Sequence, residues 1–290
     1  MEALVLTGHV LLYPTGVRDE RPPPLLTALP TSPDGADEAG GGASPSPGPG
    51  TGTGPGSDTA CSLLPTEGRT HPPVLLLHGF VDNRSIFLLL RRALAKHGWC
   101  HLYALNHSLL TWDIRVAAER LAEQVEEICA RTGHRRIDLI GHSLGGLTAR
   151  YYVQRLGGDA RIRTLITLGT PHSGTRAAPP FSPHPLIRQM RPGSSLLRDL
   201  AGPEPHGCRT SFVSFWSDLD ELMIPRSTAR LDHPDLRVRN VHVRGVGHLS
   251  LPVDCAVSAR IRAELAGEAH TGALSAASPE APSASPAGVA

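Results

Sequence analysis

Three residues able to do covalent chemistry together stand in series along the chain: Ser143, an aspartate within Ser217-Asp218-Leu219-Asp220-Glu221, and His248. A serine hydroxyl is a poor nucleophile until a base takes its proton, and the base works best when a third group fixes its tautomer. Ser143 sits in Gly141-His142-Ser143-Leu144-Gly145. The pentapeptide pattern alone is weak, because a chain with 30 glycines produces one by chance roughly once in four or five sequences. Its context is stronger. Ile137-Asp138-Leu139-Ile140 has strand character and Leu147 to Leu156 has helix character, which predicts a strand, a one-residue bend and a helix, with the serine strained at the apex. Glycine two before and two after the apex removes the Cβ that the crossing backbones would strike. The bland alternative, a glycine-rich turn with a bystander serine, weakens once the partners are counted.

His248 lies in Val246-Gly247-His248-Leu249-Ser250, after a predicted strand Val238–Arg244. Parallel sheets present functional groups at the carboxyl ends of their strands, so this is where a base is expected. Among 15 histidines most serve the surface or the core; His242, inside the strand, and His233, before it, read as structural. The acid should follow the predicted strand Thr210–Trp216, where Asp218 and Asp220 both qualify. Asp220 is favoured because an apolar segment and Pro225 follow it, at the spacing of a loop that returns to the sheet; its simpler role is a turn cap. An oxyanion formed at the serine needs two N–H donors. Leu144 should supply one and Phe80, in His78-Gly79-Phe80, the other, with His78 bracing that loop.

The elements that must carry these groups follow in order. Val74-Leu75-Leu76-Leu77 is a continuous apolar run, the mark of a strand covered on both faces. Asn83 or Asp82 should cap a helix through Arg84–His97, with Ile86, Leu90 and Leu94 on one face. Trp99 to Leu105 reads as a strand. Asp113 should cap a long helix whose stripe is Ile114, Ala117, Ala118, Leu121, Val125 and Ile128, ended by Gly133. Tyr151, Tyr152 and Val153 belong in the core, Ile162–Leu168 is the next strand, and Cys255–Ala266 the last helix. Residues 176–209 look irregular, with apolar side chains at Phe181, Leu186, Ile187, Met190, Leu196 and Leu197. Alternation of strand and helix predicts an α/β fold with a mostly parallel central sheet and helices on both faces.

With 290 residues, 40% of them apolar, the chain can build one sizeable core with appendages. The expected division is a short apolar element at 1–30, a disordered Gly/Pro/Ser linker at 31–70, a catalytic domain at 71–266 and a disordered Ala/Ser/Pro tail at 267–290. Net charge is +1, with neither the basic stripe of a nucleic-acid binder nor an acidic tail. No apolar run is long enough to span a bilayer, and Ala3 to Tyr13 lacks the basic flank and cleavage site of a signal peptide. A cytoplasmic or membrane-peripheral location is therefore favoured over secretion. Of the five cysteines, none forms Cys-x-x-Cys; Cys208 and Cys255 would be a candidate pair if the protein is exported.

The order Ser143, Asp220, His248 with a His-Gly loop upstream resembles the α/β-hydrolase superfamily. Gly141-His142-Ser143-Leu144-Gly145-Gly146, Leu168-Gly169-Thr170-Pro171-His172 and Gly247-His248 are similar to bacterial lipases and esterases of the triacylglycerol-lipase type, over about residues 72–265. The resemblance implies hydrolysis of a small-molecule or lipid ester through an acyl-enzyme, without a cofactor. Some relatives bind structural calcium or zinc, for which no ligand cluster stands out here. A monomer is expected, with peripheral contact to a lipid interface left open. Pro225 follows Asp220 by five residues, longer than the commoner Asp-x-x-Val-Pro spacing, which keeps Asp218 in play. Residues 176–209 would form a partial lid whose leucines, with Phe80 and Phe87, line an acyl pocket, or would merely cover the core. An acyltransferase or thioesterase could use the same triad; a non-catalytic binding module would predict a broken one, and every element is present. Deleting residues 31–69 is expected to leave kcat on an ester nearly unchanged, as steady-state assays of the shortened chain would show.

Overall fold

The computed structural model describes residues 71–80, 82–105 and 113–267. The apolar element at 1–30, the linker at 31–70 and the tail beyond residue 267 lie outside them. Among the described residues six strands form one sheet, β1 (Val74–Leu77), β2 (Leu102–Leu105), β3 (Ile137–His142), β4 (Ile162–Leu168), β5 (Ser211–Ser217) and β6 (Arg237–Val243), in the order β2-β1-β3-β4-β5-β6. Every neighbouring pair is parallel. The helices are α1 (Leu88–Lys96), α2 (Ile114–Thr132), α3 (Leu144–Arg155), α4 (Pro185–Gln189), α5 (Ser195–Leu200) and α6 (Cys255–Ala266).

Strand residues alternate between two apolar cores, as the two-residue period of a strand requires. Leu75, Leu77, Leu139, Leu165 and Phe212 face one, with side chains of α2, α3, α4 and α5. Val74, Leu76, Ile140, Ile166 and Val213 face the other, with α1 and α6. The central strands β1 and β3 are buried at every position. The outer strand β6 is not: Arg237 and Arg239 are exposed, Arg239 pairing with Glu264 of α6, so it reads less apolar than its neighbours.

Local signals set the element ends. The Asp113 carboxylate accepts from Arg115 N at 2.8 Å at the start of α2, and Gly133 closes it in the left-handed conformation. Asn83, rather than Asp82, caps the next stretch by accepting from Ser85 N at 2.9 Å. The expected single helix there is split: one 3-10 turn, Arg84–Phe87, precedes α1. Residues 176–209 are more regular than their prolines suggest, because α4 and α5 lay Leu186, Leu196, Leu197 and Leu200 onto the α3 side of the sheet. Phe87 cannot share a pocket with those leucines: the chain crosses to the α1 face after β1, and Phe87 is buried in the opposite core.

At the amino ends of β3 and β4 the register shifts. Fully buried Asp138 there meets Arg163, whose Nε and Nη2 donate to its two oxygens at 3.0 and 2.6 Å. Arg163 Nη2 also donates to the Leu265 carbonyl at 2.6 Å, tying β3, β4 and the end of α6 together. Breaking a buried pair strands a charge. Arg163→Met should therefore destabilise by about 3 kcal/mol, toward the low end of the range because Arg163 is partly exposed. Asp138→Asn, which leaves no buried charge, should cost less. Urea melts of the two variants check the ranking.

Candidate active site

Where the sheet order reverses, between β1 and β3, the carboxyl ends of parallel strands leave a crevice. Ser143 stands at that edge, with φ 52° and ψ −118°, the one non-glycine residue at positive φ among the described residues. The strain follows from packing at the bend. A Cβ on Gly141 would lie 2.6 Å from the Cα of Gly146, and one on Gly145 would strike the Leu77 and His78 carbonyl oxygens. Only glycine lets the first turn of α3 press onto the end of β1. The Ser143 N–H donates to the Leu168 carbonyl at 2.9 Å, stitching the bend to β4. Ser143 itself remains partly exposed.

His248 and Asp220 meet beyond the ends of β5 and β6. His248 Nδ1 is 2.8 Å from Asp220 Oδ2, with both side chains buried. The other oxygen, Oδ1, accepts from Leu222 N at 3.0 Å and Met223 N at 3.1 Å. Asp220 thus caps its own turn and addresses the imidazole at once. With the Nδ1 proton directed at the carboxylate, Nε2 is left as the basic nitrogen. Asp218 is directed elsewhere. Its carboxylate accepts from Gly245 N at 2.9 Å, which holds its pKa below the ordinary range, and it lies 3.9 Å from His242.

Three residues that sequence reasoning passed over hold these loops. Gly169, at φ 53°, passes under the pair, where a Cβ would lie 2.8 Å from Asp220 Oδ2 and 2.9 Å from His248 Nδ1. Ser217 donates to the Val246 carbonyl and accepts from Leu219 N. Thr175 donates to the Leu222 carbonyl at 2.6 Å and accepts from Ile224 N at 3.0 Å. Gly169 stands in a quoted motif, so its signal was present; Ser217 and Thr175 act across loops and carry none.

The imidazole of His248 and the bend are neighbours. The rings of His142 and His248 lie 4.7 Å apart, centroid to centroid, and His142 Nε2 is 3.1 Å from the His248 carbonyl oxygen. On its other side His142 Nδ1 is 3.1 Å from Asp82 Oδ2. The loop after β1 closes the site: a Cβ on Gly79 would lie 3.2 Å from Ser143 Cβ and 3.3 Å from His142 Nδ1. Leu144 is the first residue of α3, where a helix leaves its N–H without an internal acceptor. Phe80 follows Gly79 in the loop, its ring edge-on to His184 at 4.9 Å. His78 Nδ1 is bonded to the Gly79 carbonyl at 2.8 Å.

Among the described residues no three of His, Cys, Asp and Glu converge as metal ligands, and no helix is long and apolar enough to cross a membrane. Cys208 and Cys255 do not pair; both are free thiols.

A family model described as the alpha/beta hydrolase fold matches residues 72–199. A triacylglycerol lipase of Pseudarthrobacter phenanthrenivorans is 32% identical over 121 residues, 39% of this chain and 37% of that protein. The chain therefore spans little more than a third of this relative's length. A Schizosaccharomyces pombe palmitoyl-protein thioesterase-dolichyl pyrophosphate phosphatase fusion is 33% identical over 124 residues, 40% of this chain and 20% of that protein. Among solved structures, a Bacillus licheniformis lipase in mature form superposes with a TM-score of 0.55 at 17% identity, covering 66% of this chain and 93% of that one.

Next to Gly169, buried His172 supports the floor of the site. Its Nε2 is 3.0 Å from Thr167 Oγ1, which donates to Ser214 Oγ, which donates to the Ala229 carbonyl. Thr167 has spent its proton, so His172 Nε2 must be the donor and Nδ1 the bare nitrogen, which has no partner. Burial, with the Arg150 charge second, pushes the His172 pKa well below its ordinary value. The sign follows. Below the ordinary histidine value of about 6.5 the unfolded ring takes a proton that the folded ring refuses, so stability is full above that pH and drains as pH falls. Replacing His172 with Gln should flatten the fall of Tm below about pH 6.5, where this group contributes at most about 1.4 kcal/mol per pH unit. Calorimetry from pH 8 to 5 checks it.

Proposed function

We propose that this chain, an α/β hydrolase of the lipase and esterase type, cleaves carboxylic esters through an acyl-enzyme on Ser143. The reading is carried by one observation: the buried 2.8 Å contact of His248 with Asp220, beside a serine held at positive φ. The Ser143 hydroxyl adds to the ester carbonyl as His248 Nε2 takes its proton. The oxyanion is received by the N–H groups of Leu144 and Phe80. Collapse of the tetrahedral adduct expels the alcohol, which leaves with the proton from His248. Water, deprotonated by the same imidazole, then hydrolyses the acyl-serine. Asp220 holds the imidazole in the required tautomer and stabilises the imidazolium.

Thioester cleavage uses the same residues, and the similarity to the fission-yeast fusion protein makes it the second reading. Acyl transfer to an alcohol differs only in the acceptor. The substrate class is a small-molecule or lipid ester, to be separated by p-nitrophenyl esters of rising chain length beside an acyl-thioester of matched length.

Ser143→Ala, and separately His248→Ala, should remove nearly all turnover while the fold persists. Asp220→Asn should lower kcat by about 10^3 to 10^4-fold through loss of the correct tautomer. Asp218→Asn should stay within about threefold of wild type, since it removes only an exposed loop contact. Retention of full activity by Asp220→Asn, with loss in Asp218→Asn, would reverse the assignment of the acid.

A further inference from the structure

The second buried carboxylate–imidazole pair has no part in the chemistry just described. His142 is fully buried, immediately before Ser143, and each of its ring nitrogens has one partner: Asp82 Oδ2 at Nδ1 and the main-chain oxygen of His248 at Nε2, both at 3.1 Å. A main-chain carbonyl and a carboxylate can only accept. A neutral imidazole has one N–H and satisfies one of the two. With Asp82 ionised, both contacts are made at once only by a ring that carries a proton on each nitrogen, the carboxylate balancing the charge; a proton on Asp82 instead would leave the ring neutral. The contrast with His172 is direct, since its unpartnered Nδ1 fits a neutral ring.

Resting on the esterase reading and extending it, we infer that His142 is a positioning residue: an imidazolium neutralised by Asp82, which grips the backbone of His248 and fixes where the general base stands. Nothing else described bonds to the His248 backbone across the bend. Asp220 fixes the ring from the Nδ1 side, while His142 fixes the main chain that carries it. The grip joins three loops, those after β1, β3 and β6, each supplying a part of the site. A charge-assisted donor holds a carbonyl roughly twice as strongly as a neutral one, and a general base displaced by about an ångström loses much of its rate. His142 touches neither substrate nor the reacting atoms in this scheme.

Two measurements test the inference, and the first is independent of activity. Long-range proton–nitrogen spectra of the 15N-labelled full chain at pH 7, with the His142 signals assigned by their absence from His142→Gln, should show both ring nitrogens of His142 protonated. In Asp82→Asn only one should remain protonated. A neutral His142 in the wild-type spectrum would overturn the inference. The second is kinetic. His142→Phe should lower kcat about tenfold to a hundredfold while KM holds within about twofold. His142→Gln, whose amide can still donate to the His248 carbonyl, should recover most of the loss. An unchanged kcat in His142→Phe, or a loss in His142→Gln as deep as in His142→Phe, would overturn it. Should His142→Phe fail to fold, the spectra of the wild type and of Asp82→Asn decide. A wild-type chain silent toward every ester would sink the esterase reading and leave the protonation of His142 still measurable; turnover with a neutral His142 would sink only the grip.

Discussion

The close approach of the first turn of α3 to the carboxyl ends of β1 and β3 is the constraint on which the site rests. Three glycines, Gly141, Gly145 and Gly146, remove side chains where backbones and Thr170 come within contact. Each glycine costs conformational entropy on folding, and the buried strands on either side offset it. The return is a serine that cannot relax: its φ of 52° is enforced from both sides of the bend. Loosen that contact and the hydroxyl, the first helical N–H and the β1 loop all lose their shared reference.

Around this rigid centre Asp220 and His248 arrive on longer loops, which hydrogen bonds restrain alongside the burial of Met223, Val246 and Leu251. Ser217, Thr175, Asp218 and the turn-capping oxygen of Asp220 all bind main-chain groups of the loops after β4, β5 and β6. Buried polar contacts of this kind contribute modestly to net stability but are costly to leave half made. They specify one loop arrangement among many of similar apolar burial.

Most of the fold was legible because its signals are local. A four-residue apolar run marked β1, a helical stripe with its cap marked α2, and the strand ends came out within about two residues of the structure for β4, β5 and β6. Ser143 and His248 were singled out because each follows such a strand. The preference for Asp220 over Asp218 leaned on spacing; in the structure Asp220 is the one that lies against His248. What could not be read depended on distance in space without any local mark. Asp82 lies 60 residues before His142 and looked like a helix cap; the chain gives that task to Asn83. Phe87 was expected to line a pocket with Phe80, whereas the crossing of the chain sends it to the other face. The helices α4 and α5 were hidden by prolines that tolerate a first turn, as Pro185 does in α4.

The clasp of Asp138, Arg163 and the Leu265 carbonyl sits at the amino ends of the strands, the end of the sheet opposite Ser143. It fastens the closing turn of α6, after which Gly267 ends the helix in the left-handed conformation. The candidate site and the end of α6 therefore lie at opposite ends of the sheet. A surface coupled at the end of this helix would hold the domain from the far side of the sheet and leave the crevice at Ser143 uncovered.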